Sequence, residues 1–172
     1  MNAFPGNLTR IAMSGPGVYE GMNEGIRRAT GWIFYFLGAG DRLRPGVLPE
    51  IHAGYDWSTS RLVYGDVYME DLQVTYDGAF DARKLRKKNI CHQAIFYSRQ
   101  VFARHGPYDS RYSLLADYAY NLRAFGDTET AKHYRPVTIA DYEGAGLSAQ
   151  GRDDIFIRDR ARLNQLYLPP PK

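Results

Sequence analysis

The stretch WIFYFLGAGDRL, Trp32 to Leu43, decides how the chain is read. Six apolar residues run without interruption, stop at Gly38-Ala39-Gly40, and deliver one carboxylate, Asp41. An apolar run of this length, rich in aromatics and closed by glycine, predicts a strand over 32–37 that is buried on both faces, as in a parallel sheet. Upstream, Tyr19, Met22, Ile26 and Ala29 recur at spacings of three and four, which predicts a helix that Gly31 ends. Helix, turn, buried strand and a glycine-rich loop with an acid make half of an α/β crossover unit. In such sheets ligands bind beyond the carboxyl ends of the strands, where Asp41 stands. Asp41 is then either a residue facing a ligand or the cap of the turn before Pro45.

The rest of the chain continues the alternation. A short helix is expected from Pro45 to about Ala53. RLVYGDVYM (61–69) is a strand candidate broken at Gly65-Asp66, and LQVTY (72–76) is placed to pair with it. HQAIFYS (92–98) is strand-like, and Ser98 is set to cap a short helix that stops at Gly106. A helix is predicted from Leu115 to Phe125. HYRPVTIADY reads as an edge strand, because Pro136 cannot donate to a ladder. DDIFIRDRARLNQL (153–166) reads as a mixed-charge amphipathic helix. The expected organisation is one domain over 1–168 with a loose Pro-rich tail at 169–172.

Composition excludes several classes. With 172 residues, 44% of them hydrophobic, the chain can bury one sizeable core. A net charge of +3 sets up no strong field for nucleic acid or membrane, and no nucleic-acid module pattern appears. The single cysteine, Cys91, can form no internal disulfide, which suits a reducing cytoplasm and equally a cysteine-poor exported protein. The N-terminal segment does not read as a secretory leader, and no window approaches the ~20 apolar residues that span a bilayer. There is no H-E-x-x-H, G-x-S-x-G or Walker loop. The run Arg83, Lys84, Arg86, Lys87, Lys88 is either a solvated loop or a contact for anionic partners, including the inner face of a membrane.

The order of these segments resembles family 2 glycosyltransferases of the GT-A fold, especially those of bacterial polysaccharide assembly. GVYEGMNEGIRRATGWIFYFLGAGDRL is similar to the segment around that family's metal-binding motif. VYGDV, ICHQAIFYSRQVFARHGPYDSRY, LADYAYNLR and GLS at 146–148 continue the likeness in the family's order. The resemblance implies an α/β, GT-A-like sheet, mixed but mainly parallel and flanked by helices. It lacks the N-terminal nucleotide-binding β-α-β unit, so the chain reads as N-terminally truncated, or as completed by a partner chain.

It further implies transfer of a sugar from a nucleotide-sugar donor to a saccharide or lipid-linked acceptor, with inversion. Asp117 in LADY falls where the family has its general base; the alternative is an acid that stabilises the helix start. Tyr19, Asn23, Asp66, His92 and Gln93 fall at donor- or acceptor-lining positions, each with an ordinary structural role as its alternative. Asp109 reads as turn chemistry. The family's divalent cation, Mn or Mg, is implied at Asp41, but Gly38 and Gly40 stand where its usual acids would be.

Overall fold

The computed structural model describes residues 9, 11, 17–144 and 151–170; the GLS segment at 146–148 lies outside them. Six strands form one mixed sheet with helices on both sides. The elements run α1 (Val18–Arg28), β1 (Ile33–Tyr35), β2 (Arg42–Leu43), α2 (Val47–Ala53), β3 (Arg61–Met69), β4 (Val74–Tyr76) and α3 (Ala82–Leu85). A 3-10 turn (His92–Ala94), β5 (Ile95–Ser98), α4 (Arg99–His105), α5 (Ala116–Gly126), β6 (Ala131–Tyr142) and a last helix, α6 (Asp154–Tyr167), follow. No helix among the described residues is long and apolar enough to cross a membrane.

The sheet order is β1-β5-β3-β6-β2, with β4 on the C-terminal part of β3. Here the structure corrects the expectation of a mainly parallel sheet. Only β3 and β6 are parallel; β1/β5, β3/β5, β3/β4 and β2/β6 are all antiparallel. The reason lies in what covers the strands. Phe34 packs with α4 and its neighbours on one face, while Ile33 and Tyr35 pack with Val63, Phe96 and Ile139 on the other. Burial on both faces produces an unbroken apolar run whichever way the neighbouring strand points. The run itself is shorter than predicted. Strand pairing covers 33–35 only, and its flanks Trp32 and Leu37 are 59% and 45% exposed.

β3 alternates as period two requires. Leu62 and Tyr64 face the larger core, with Ile95, Tyr97, α1, α4, α5 and α6, whereas Val63 faces Ile51 and Trp57 on the α2 side. The predicted break at Gly65-Asp66 is instead a bulge within a continuous strand. Tyr64 pairs with Tyr134 and Asp66 with Thr138, so three residues of β6 oppose Gly65 alone. Pro136 sits in that bulge, where no ladder donor is needed. Gly65 is required by the crowding: a Cβ there would lie 2.5 Å from the Val137 carbonyl oxygen. The edge-strand reading of β6 is therefore corrected, since β6 lies between β3 and β2, although β2 meets it only at Ala140 and Asp141.

α5 is the central helix, with Ala116, Tyr118, Leu122 and Ala124 buried between sheet and α6. α6 is started by Asp153, whose carboxylate accepts from the Phe156 N–H at 3.0 Å and from the Leu114 and Leu115 N–H groups. One side chain thus caps α6 and fixes the loop entering α5. Near the C-terminus Leu168 is buried, and the Pro169 carbonyl accepts a hydrogen bond from Arg86.

Candidate functional site

A cleft of about 950 Å³ opens where the ends of α1, β1 and β6 meet the 89–93 segment and the start of α5. It brings together Tyr19, Asp41, His92, Gln93 and Asp117. Asn23 and Asp66 lie outside its wall. Asn23 brackets the backbone of Tyr108, donating to its carbonyl at 2.9 Å and accepting from its N–H at 2.8 Å, and so ties α1 to the loop after α4. Asp66 accepts from the N–H groups of Asp77 and Gly78 at 3.2 and 2.7 Å and from the Tyr134 hydroxyl at 2.9 Å, which stitches the β3 bulge to the loop after β4. Asp109 accepts from the Arg111 N–H at 3.2 Å and pairs with its guanidinium, as a turn does.

Asp117 lies in the first turn of α5, one residue inside, and its side chain does not cap the helix. It is 6% exposed. The Tyr19 hydroxyl stands 2.7 Å from Oδ1 and 2.8 Å from the Leu114 carbonyl, and Asn89 Nδ2 donates to Oδ2 at 2.8 Å. Burial, reinforced by the Asp117 charge, pushes the Tyr19 phenol far above its ordinary value, so it stays a proton donor. His92 Nδ1 is 3.8 Å from Asp117 Oδ2, beyond a direct hydrogen bond. A carboxylate held this way faces the cleft with lone pairs to spare and can take a proton from a hydroxyl placed there.

Asp41 is held by a similar device. Gln93 Nε2 donates to Oδ2 at 2.7 Å, and the Glu143 N–H donates to Oδ1 at 3.2 Å. Gln93 is 3% exposed, and its Oε1 accepts from the Cys91 thiol at 2.9 Å. Burial pushes that thiol up to about 12, which keeps it a donor. The carboxylates of Asp41 and Glu143 fill the space beside the two glycines. A Cβ at Gly38 would lie 2.5 Å from Asp41 Oδ2, and one at Gly40 would run into Glu143.

The implied Mn or Mg fits this donor set poorly. Among the described residues no group of three or more His, Cys, Asp or Glu side chains is placed to hold a metal ion, and the glycines at 38 and 40 bring no carboxylate of their own. No Lys or Arg is among the described residues lining the cleft.

No residue of the basic run lines the cleft, and the run is largely spent within the fold. Lys84 donates to the Asp77 and Ala79 carbonyls, Lys88 pairs with Asp77, and Arg86 holds the Asn164 and Pro169 carbonyls. Arg83 and Lys87 are exposed.

With this geometry in hand, the chain can be set beside known proteins. No family model matches it. Its curated relatives are named glycosyltransferases. It is 44% identical over 146 residues to a PGL/p-HBAD biosynthesis glycosyltransferase of Mycobacterium tuberculosis, and equally to that of Mycobacterium bovis; the match covers 83% of this chain and 57% of each relative. It is 27% identical over 168 residues to an uncharacterized glycosyltransferase of Mycobacterium tuberculosis, covering 88% of this chain and 60% of that one. The chain thus spans less than two thirds of the length of these relatives.

Asn89, Asn121 and Glu143 join the site although the sequence does not single them out, and Cys91 joins it as the thiol that donates to Gln93. Asn121 had a local signal, since it stands four residues after Asp117 and hence on the same side of α5. Asn89 was hidden as the end of a basic run. Glu143 had no local signal, being brought to Asp41 across 102 positions by the β2/β6 pairing.

Proposed function

We propose that this chain carries the reaction centre of a glycosyltransferase, related to family 2 and of GT-A type, that moves a sugar from a nucleotide-sugar donor to a saccharide or lipid-linked acceptor. The observation that carries the reading is Asp117, a carboxylate at the cleft wall whose protein partners there are hydrogen-bond donors. In the proposed step Asp117 takes the proton of an acceptor hydroxyl. That oxygen attacks the anomeric carbon, the bond to the nucleotide diphosphate breaks with its electron pair on the leaving phosphate, and the configuration inverts. His92 and Tyr19 would line the acceptor side. Relatives named for glycosyl transfer in PGL/p-HBAD biosynthesis support the reaction class. A Mn or Mg ion at Asp41 would need ligands beyond those the described residues bring there, and the proposed step is routed through none.

The test is product formation from a panel of nucleotide sugars by the protein and by Asp117→Asn. Loss of at least about 100-fold in turnover is expected. Turnover untouched by the change sinks the base assignment.

A second reading, a catalytically degenerate sugar-binding or assembly subunit, is favoured by the glycines at 38 and 40 and by the absence of Lys or Arg from the described cleft lining, where a diphosphate would lie. Saturable binding of a sugar acceptor without turnover of any nucleotide sugar would select it.

A further inference from the structure

Behind Asp117 a line of hydrogen bonds runs from the cleft into the core, and none of its members is used by the chemistry proposed above. Asn89 Nδ2 donates to Asp117 Oδ2 at 2.8 Å. Asn89 Oδ1 accepts from Asn121 Nδ2 at 2.9 Å, and Asn121 Oδ1 accepts from the Tyr97 hydroxyl at 2.6 Å. Tyr97 is fully buried on β5 and Asn121 is 1% exposed on α5.

The chain has a direction. Burial raises the Tyr97 phenol well above its ordinary value, so its hydroxyl remains a donor. The carbonyl end of the Asn121 amide is set to accept that proton, which turns the NH2 end toward Asn89. The Asn89 amide is turned in the same sense, and its NH2 end meets the carboxylate. Each amide has one orientation that satisfies both neighbours: flipping Asn89 sets its NH2 against that of Asn121 and its oxygen against the carboxylate, and flipping Asn121 sets its oxygen against that of Asn89. The backbone of residue 89 is tied as well, because its carbonyl accepts from the Tyr76 hydroxyl at 2.8 Å.

We infer that Asn89 is a positioning residue for Asp117, with its own orientation set by Asn121 and Tyr97, so that β5 and α5 together fix where the carboxylate points. The inference rests on the reading of Asp117 as the base. Asn89 stands in the cleft wall beside Asp117, but both polar atoms of its side chain are committed, one to Asp117 and one to Asn121. Its work is to hold Oδ2 so that the remaining lone pairs face the acceptor hydroxyl, and small misplacements of a base are costly in rate.

The experiment compares steady-state sugar transfer by the protein, Asn89→Ala, Tyr97→Phe, Asp117→Asn and the pair Asn89→Ala/Asp117→Asn. Asn89→Ala should lower kcat roughly 10- to 100-fold with KM within about twofold, since the residue acts on positioning and not on binding. Tyr97→Phe, which leaves the cleft wall untouched, should lower kcat severalfold in the same pattern and stands in should Asn89→Ala fail to fold. The paired variant should be no slower than Asp117→Asn alone. A KM effect with unchanged kcat, or losses that multiply in the paired variant, overturns the inference.

An Asp117→Asn variant at full rate overturns the base reading itself. That outcome differs from failure of this inference alone, in which Asp117→Asn is dead and Asn89→Ala is unimpaired. A second readout is independent of turnover. The Asn89 side-chain NH2 resonances in 15N-1H spectra should move in both Asp117→Asn and Tyr97→Phe. Indifference to both overturns the chain.

Discussion

Replacing Asp117 separates geometry from chemistry, because the two obvious substitutions leave different numbers of buried groups without partners. In Asp117→Asn the new amide oxygen can accept from Asn89, as Oδ2 does at 2.8 Å. The new NH2 would face the Tyr19 oxygen, and the Tyr19 proton can turn to the Leu114 carbonyl, already within 2.8 Å. Every polar group keeps a partner, so the cost in stability should be within about 1 kcal/mol. Asp117→Ala is different. Tyr19 still has Leu114, but the Asn89 NH2 points into a site only 6% exposed with nothing to accept from it. An unsatisfied buried donor costs about 1–3 kcal/mol, and lost contacts around the deleted carboxyl bring the total to about 2–3 kcal/mol. At about 2–4 °C per kcal/mol for a domain of this size, the alanine variant should melt roughly 4–12 °C below the protein. The asparagine variant should melt within about 4 °C of it. Differential scanning calorimetry reads both. If the two variants are equally destabilised, or alanine costs nothing, the partners assigned to Asp117 are wrong.

Other outcomes follow from the same structure. Gly65→Ala places a methyl 2.5 Å from the Val137 carbonyl and should lower stability by about 1–3 kcal/mol, whereas Gly25→Ala, in α1 with open space around its Cβ, should raise it by about 0.5–1 kcal/mol; urea unfolding tests both. Cys91, with its thiol raised to about 12, should resist iodoacetamide at pH 8 in the folded protein and react on unfolding; rapid labelling without loss of structure would contradict the raised thiol. Burial also raises Tyr118 to about 12. Because the folded state holds these two protons more tightly than the unfolded chain, their stabilisation is whole below about pH 8 for the thiol and about pH 10 for the phenol, and is lost as pH climbs toward 12. Urea midpoints should therefore fall steadily between pH 9 and 11, and a midpoint rising over that range would refute the assignment. Gln93→Leu removes the amide that holds Asp41 and should reduce donor use more than it reduces stability, measured as KM for the nucleotide sugar beside the melting temperature.

What the sequence determined by itself is what depends on near neighbours. The periodic spacing in α1, the glycine stop of α4 and the mixed-charge amphipathic pattern of α6 are encoded within a few residues of where they act. The order of segments resembling glycosyltransferases was legible for the same reason; Asp41 stood out at the end of an apolar run, and Asp117 through that resemblance. Strand direction was not legible, since burial on two faces gives the same apolar run in parallel and antiparallel sheets. Nor were the partners of the two acids. Asn89, Asn121 and Tyr97 are spread over a loop, α5 and β5, and Glu143 reaches Asp41 only when β6 pairs with β2. A single buried hydrogen bond leaves no periodicity in a sequence. Only the tertiary structure decided which amide meets which carboxylate, because that choice is made by packing β5 and α5 against each other around groups that must all be satisfied once water is gone.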